Sequence, residues 1–453
     1  MNRKVRNILS IASVIISSSC LFASNSDELL VGSFSNVDEQ VVQEDEYEEN
    51  LLYADNDQYV AMEEIPCVDF SQNKFIIPGN KELVLKLYNK FDQMLSLGSG
   101  EVSIMHMGGS HVQAGIFSHQ LRQNFKKFLD DGASCMGIIF PYKTMGTNAP
   151  VNYKMSTTGV WTKARCIERN PSLPLGVSGA AIRSSSANAS ISFDLKSQGD
   201  NLWLYHELLV LGDGYNENYP PMLIANGDTV YATTYEDGAW KFNLSSDELS
   251  DEIVEASEGK VIFPGANVTP VTIRGLIPKN IYSGVMYHEA GINGASVPAW
   301  LRCSKFEGEL THIKPDLVIF GIGINDANVS PTKFDKENFK DNYRRLIAKI
   351  RRVNPESVFL FITNNDCKLN MKGYGGKYNP NSIKVEQAFI ELAKEYDGIV
   401  WNLFRVMGGP GSSKEWVNYQ LMQKDRIHFT RAGYELIGDL LYNAFVTDIN
   451  NIK

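Results

Sequence analysis

The sequence lacks a surplus of basic residues, lacks paired cysteine motifs and, beyond its first two dozen residues, lacks a long apolar run. Each absence removes a class of protein. Its 43 Lys and Arg stand against 53 Asp and Glu, a formal charge of −10 over 453 residues, so no global basic field draws it to nucleic acid. Its six cysteines contain no C-x-x-C pair, which argues against a zinc site and against a disulfide framework. Neither G-x-x-x-x-G-K-[ST] nor G-x-G-x-x-G occurs, so nothing supports a nucleotide cofactor. No stretch reaches the roughly 18 apolar residues of a membrane span.

What is present is a chain long enough for an enzyme core plus a second, smaller domain. The acidity is local: Asp27 to Glu64 holds 13 acids and no Lys or Arg, whereas residues 65–453 balance at 40 acids and 40 basic residues. Arg3, Lys4 and Arg6 precede an apolar, small-residue run from Ile8 to Ala23, the layout of an export signal over residues 1–23. The expected location is the periplasm or the cell surface. The signal ends either by cleavage near Leu21-Phe22-Ala23 or as a lipoprotein anchor at Cys20. Residues 24–64 have no apolar periodicity and read as a solvated, disordered acidic tether.

From residue 65 the pattern is that of an α/β domain. Leu83 to Leu95 has helical spacing, Val102 to Met107 reads as a buried strand, Gly108-Gly109 as a tight turn and Val112 to Leu129 as a helix. Residues 150–275 are short β-type runs separated by Gly, Asn, Asp and Ser, which predicts an all-β sandwich inserted into the domain. Trp161 and Trp240 lie in that insert, either to stack on sugar rings or to fill its core. After 276 strand and helix alternate again: strands at Val285–Tyr287, Leu317–Phe320, Val358–Thr363 and Ile399–Leu403, with helices at Ala299–Leu310, Lys333–Val353, Pro380–Tyr396 and Thr430–Val446. The fold class is therefore α/β, a parallel sheet with helices on both faces, built from 65–149 and 276–453.

Chemistry in such a sheet sits at the carboxyl ends of its strands. Three ends carry unusual residues. Ser110 follows the glycine turn at the start of a helix, where it could be a nucleophile with its own N–H facing an oxyanion, or simply a helix cap. Asp425 and His428 are three residues apart in a turn, the spacing of a base and its orienting carboxylate, or else an exposed acid and a loop histidine. Asn325, in Gly321-Ile322-Gly323-Ile324-Asn325-Asp326, could donate its amide to an oxyanion or cap a turn. His111 and His106 flank the serine, and His288-Glu289 reads as loop or rim.

Taken together, G-x-S, then G-x-N-D, then D-x-x-H, in that order, resemble the SGNH or GDSL-like hydrolase superfamily. Gly291-Ile292-Asn293-Gly294-Ala295-Ser296 resembles the family's remaining block, with Gly294 in the matching place. The run Met105 to Ala114 and Phe140-Pro141 are similar to bacterial peptidoglycan O-acetylesterases, which also carry a β domain between the first two blocks. The resemblance implies a flavodoxin-like sheet, Ser110 as nucleophile, His428 as general base and Asp425 as its orienter. It further implies an oxyanion hole from Ser110, Gly294 and Asn325 and no metal or cofactor; His111, beside the serine, either contacts substrate or makes a structural hydrogen bond. The implied reaction is removal of O-acetyl groups from an exported glycan, most plausibly peptidoglycan. Two alternatives stay open: an O-acyltransferase using the same acyl-enzyme, and a glycan-binding surface protein without turnover. One departure stands out. Gly109 occupies the place of the family's usual aspartate.

Overall fold

A computed structural model describes residues 51–52, 58–128, 135–196, 203–234, 239–244, 254–369 and 376–452. The export signal, Cys20 and most of the acidic stretch lie outside the described residues. Residues from Asn50 onward form one compact unit.

Its centre is a six-stranded sheet of β1 (Phe75–Ile76), β2 (Glu101–Gly108), β3 (Gly284–Gly291), β4 (Leu317–Gly321), β5 (Val358–Ile362) and β6 (Ile399–Trp401). The strands lie in the order β3-β2-β4-β5-β6-β1, all parallel except the short edge strand β1. The five parallel strands follow the flavodoxin-like order, whose switch point flanks β2. Five long helices cover the sheet: α1 (Glu82–Leu97), α2 (Phe117–Phe128), α3 (Lys336–Val353), α4 (Asn381–Tyr396) and α5 (Arg431–Ile452).

Strand side chains alternate between two cores. Val318, Phe320, Phe359, Phe361 and Val400 join Phe339 and Tyr343 of α3 and Phe389 of α4. Leu317, Ile319, Leu360, Ile399 and Trp401 point the other way, to Phe91 of α1, Phe125 of α2 and Phe445 of α5. Burial on both faces is why β5 reads simply as VFLFI.

Between β2 and β3 the chain builds two antiparallel sheets of five and six strands. Phe263 of the first packs edge-on against Trp161 and Trp240 of the second. Trp240 is 1% exposed, and the Trp161 indole N–H donates to the Thr158 carbonyl at 2.8 Å. Trp240 fills the sandwich interior, while Trp161 is half-buried against it. The core of this insert is continuous with the α3 and α4 face of the central sheet.

Several sequence expectations shift. The insert's last strand runs from Val271 to Lys279, so the boundary expected at 275 moves, and the parallel sheet resumes only at Gly284. The helix expected over Val112–Leu129 is two: a turn at Ser110–Gln113 and then α2, broken where Gly115 takes φ +69°. The helix expected at Ala299–Leu310 likewise splits into Val297–Trp300 and Phe306–Leu310.

His288 and Glu289 are buried inside β3 and are no rim. The His288 ring accepts the Ile138 N–H at 3.2 Å, and Glu289 accepts from Ser118 at 2.6 Å and from Arg122 at 3.3 Å. Internal partners make the polar pair tolerable in a core.

The tether was expected to reach residue 64, yet residues 58–63 are held on the body. Asn443 of α5 exchanges two hydrogen bonds with the Val60 main chain, at 2.9 and 2.8 Å, and Met62 is buried. Paired main-chain bonds and one buried apolar residue do what periodicity did not signal.

Candidate active site

Strands β2, β3 and β4 end in register at Gly108, Gly291 and Gly321. A Cβ on Gly108 would lie 2.1 Å from Val112, and one on Gly291 would lie 2.2 Å from the Gln113 nitrogen. The absent side chains let the Ser110–Gln113 turn settle directly on the strand ends. Gly109 is the residue before that turn, so Ser110 is its first helical position and its hydroxyl caps nothing.

Instead, Ser110 Oγ stands 2.9 Å from His428 Nε2, and His428 Nδ1 stands 2.7 Å from Asp425 Oδ2. An ionised carboxylate can only accept, so Nδ1 carries the ring proton and Nε2 is left to accept the serine hydroxyl. Asp425 Oδ1 also accepts the N–H groups of Ile427 and His428, at 2.9 and 3.0 Å. Partial burial pushes the Asp425 carboxyl up, but these bonds outweigh it and hold the group below the usual carboxylate value.

The turn that presents the pair is anchored by Arg426, which takes φ +56°. Its guanidinium donates to Ser413 Oγ at 3.1 and 3.0 Å and to the Gly376 carbonyl at 3.0 Å.

Gly294 and Asn325 reach the same place from β3 and β4. Gly294 adopts φ +80°, and a Cβ there would touch nothing within 4 Å, so its main chain borders open space. Asn325 Nδ2 donates to the Ala295 carbonyl at 2.9 Å, which leaves its second N–H uncommitted. Ser110, Gly294, Asn325 and His428 line one open cavity of about 590 Å³. A Cβ on Gly109 would lie 3.1 Å from Asn325 Nδ2, so the glycine leaves that amide room.

His111 is the exception among the expected site residues. Its Nδ1 meets the Tyr434 hydroxyl at 2.9 Å, its ring lies 5.6 Å from that of His428, and it does not line the cavity. Burial, with the neighbouring His428 second, drives its pKa down to about 3. It is a neutral support behind His428, held by the hydrogen bond to Tyr434. His106 is deeper still, bonded to Tyr287 at 2.8 Å and pushed down to about 3 by burial.

One arrangement escaped the sequence reading. Gln113 Oε1 accepts the Asn293 N–H at 2.7 Å while Gln113 Nε2 donates to the Asn148 carbonyl at 2.8 Å. Asn293 in turn donates to Asn148 Oδ1 at 2.6 Å. This amide cluster ties the Gly294 loop to the serine turn. Its only sequence signal was a glutamine three residues past the serine.

Residues 274–436 match the GDSL-like lipase/acylhydrolase family. That stretch is GDSL-like. It contains Gly294, Asn325, Asp425 and His428; Ser110, separated from it by the sandwich, is supplied by the turn after β2. A structure described as a peptidoglycan O-acetylesterase shares the fold, with a TM-score of 0.66, 21% identity and coverage of 83% of this chain and 99% of the other. Two others match over little more than a third of the chain. An acetyl xylan esterase is 18% identical, covering 36% of this chain and 83% of its own, with a TM-score of 0.29. A lipase/acylhydrolase from Enterococcus faecalis is 23% identical, covering 36% and 77%, with a TM-score of 0.26. No curated protein matches the chain.

Proposed function

We propose that this protein is a serine esterase that removes O-acetyl groups from an exported polysaccharide, peptidoglycan foremost, through an acyl-enzyme on Ser110. The observation that carries the reading is the unbroken relay from Ser110 Oγ through the His428 ring to Asp425, opening onto a cavity wide enough for a sugar. His428 Nε2 takes the serine proton as Oγ attacks the ester carbonyl, and Asp425 stabilises the imidazolium that forms. The developing oxyanion is met by the N–H groups of Ser110 and Gly294 and by the second amide N–H of Asn325. His428 then protonates the leaving sugar oxygen, and water, activated by the same ring, releases acetate.

The acetyl and peptidoglycan parts of the reading rest on the resemblance around Ser110 and on the shared fold. Acetate release from O-acetylated peptidoglycan tests it directly. The wild type should release acetate, while Ser110→Ala should keep its fold and lose all but a few per cent of turnover. A wild type inert on every acetyl ester would end the proposal.

A further inference from the structure

The cavity beside Ser110 has an unusual wall for a protein of net charge −10. Two cations, Lys368 and Arg431, and six amide side chains, among them Asn328, Asn379 and Gln423, line it, and no Asp or Glu does so among the described residues. Arg431 is drawn to Glu435 at 2.8 Å. No acceptor for the Lys368 ammonium is found among the described residues; several surface lysines share that state, and what sets Lys368 apart is its place on the cavity wall with Ser110.

The main chain of Lys368 is fixed. Its N–H donates to the Arg426 carbonyl at 3.1 Å, it bridges antiparallel to Tyr378, and the Leu369 N–H donates to the Lys377 carbonyl at 3.0 Å. Arg426 lies between Asp425 and His428, so the turn that presents the base also holds the lysine. The one acid of the connection between β5 and α4, Asp366, is buried and accepts the Ser413 N–H at 2.9 Å.

We propose that the ester cleaved at Ser110 is carried by an anionic glycan, and that Lys368 binds a carboxylate on the acylated unit. This rests on the esterase reading and narrows its substrate class. An ammonium without a protein counter-charge, on a wall of amides that can serve hydroxyls, attracts a carboxylate and is indifferent to a neutral sugar. The attraction is partly solvent-exposed, so salt weakens it.

The test compares acetate release from an O-acetylated hexuronic acid glycoside with release from the same compound as its neutral carboxamide. At low salt the wild type should favour the acid by about tenfold in kcat/KM, through KM. High salt should shrink that ratio. Lys368→Met should bring the ratio close to one and Lys368→Arg should keep most of it. A wild-type ratio near one, or a ratio that Lys368→Met leaves intact, overturns the inference while the esterase reading stands. Failure of the wild type on both glycosides, with an aryl acetate still hydrolysed, also overturns the inference alone. Failure on the aryl acetate as well overturns the esterase reading with it.

Discussion

Asp326 accepts the main-chain N–H of Val297 with both carboxylate oxygens, at 3.2 and 3.3 Å, while its neighbour Asn325 binds the carbonyl of Ala295. Two consecutive side chains after β4 thus fasten the segment that follows Gly294. The oxyanion donors of the proposed mechanism come from different strands, and this clasp is what sets their spacing.

Asn325→Ala should therefore lose both a donor to the oxyanion and a clasp on the loop. The expected fall in kcat is roughly 10²–10³, measured on an aryl acetate with the fold checked by circular dichroism. A loss below about threefold would confine Asn325 to loop support.

Asp326 carries a pH signature of its own. Burial raises its pKa to about 7, against the weaker opposing pull of the Val297 N–H. The unfolded chain gives up this proton near 4 and the folded one only near 7, so its stabilising contribution is complete below about pH 4 and gone above about pH 7. Asp326→Asn, neutral throughout, should gain in melting temperature relative to the wild type as pH rises from 4 to 8. A difference that is flat across that range would contradict the assignment.

For the relay, Asp425→Asn should be severely impaired, by about 10⁴ in kcat, because an amide at that position favours the wrong ring tautomer of His428. His428→Ala should match Ser110→Ala, and the double variant should be no worse than either, since the residues act as one unit. Additive losses would argue that they do not.

Much of this architecture was legible because alternating burial and crossover helices leave plain periods: the strands Leu317–Phe320, Val358–Thr363 and Ile399–Leu403 were each found within two residues. What escaped had non-local causes. β3 runs on through His288 and Glu289 because the Ile138 N–H, 150 residues away, satisfies the first, and Arg122 and Ser118, 167 and 171 residues away, satisfy the second. Val60 and Met62 looked like part of a tether because their partner, Asn443, lies almost at the other end of the chain. At the site, Ser110, Asp425 and His428 could be nominated from spacing. The supporting roles of Gln113, Tyr434 and His111 depend on contacts that spacing does not encode.

The amino-terminal contacts set a sharp truncation boundary. Removing residues 1–57 deletes, among the described contacts, only the pairing of Leu51–Leu52 with Met62–Glu63, and should leave stability and activity unchanged. Removing 1–63 also takes away Met62 and strands the Asn443 amide, at a cost of about 2–4 kcal/mol. A thermal melt should separate the two deletions by several degrees; equal melting temperatures would mean that residues 58–63 contribute nothing.

The sandwich offers the last prediction. If it were an independent module, cutting out residues 150–275 and rejoining the ends would leave a folded esterase able to hydrolyse a small aryl acetate. The packing argues otherwise. Ile182, Val210 and Ile273 of the insert share one continuous core with Trp300, Phe320 and Phe389. Buried Arg274 pairs with buried Glu309 just before β4 and with Asp213 at 2.5 Å, while Glu309 also accepts the Val177 N–H at 2.9 Å. Excision would expose that core and leave the Glu309 carboxylate without its counter-charge, so the shortened chain should lose near-ultraviolet dichroism and cooperative melting together with all esterase activity. Glu309→Ala probes the same junction without removing the core: breaking a buried pair from one side costs about 3–5 kcal/mol. That variant should melt several degrees lower yet still hydrolyse the aryl acetate at low temperature, because Glu309 touches none of the residues around Ser110. An excised protein that melts cooperatively and keeps its turnover would show instead that the α/β core closes without the sandwich.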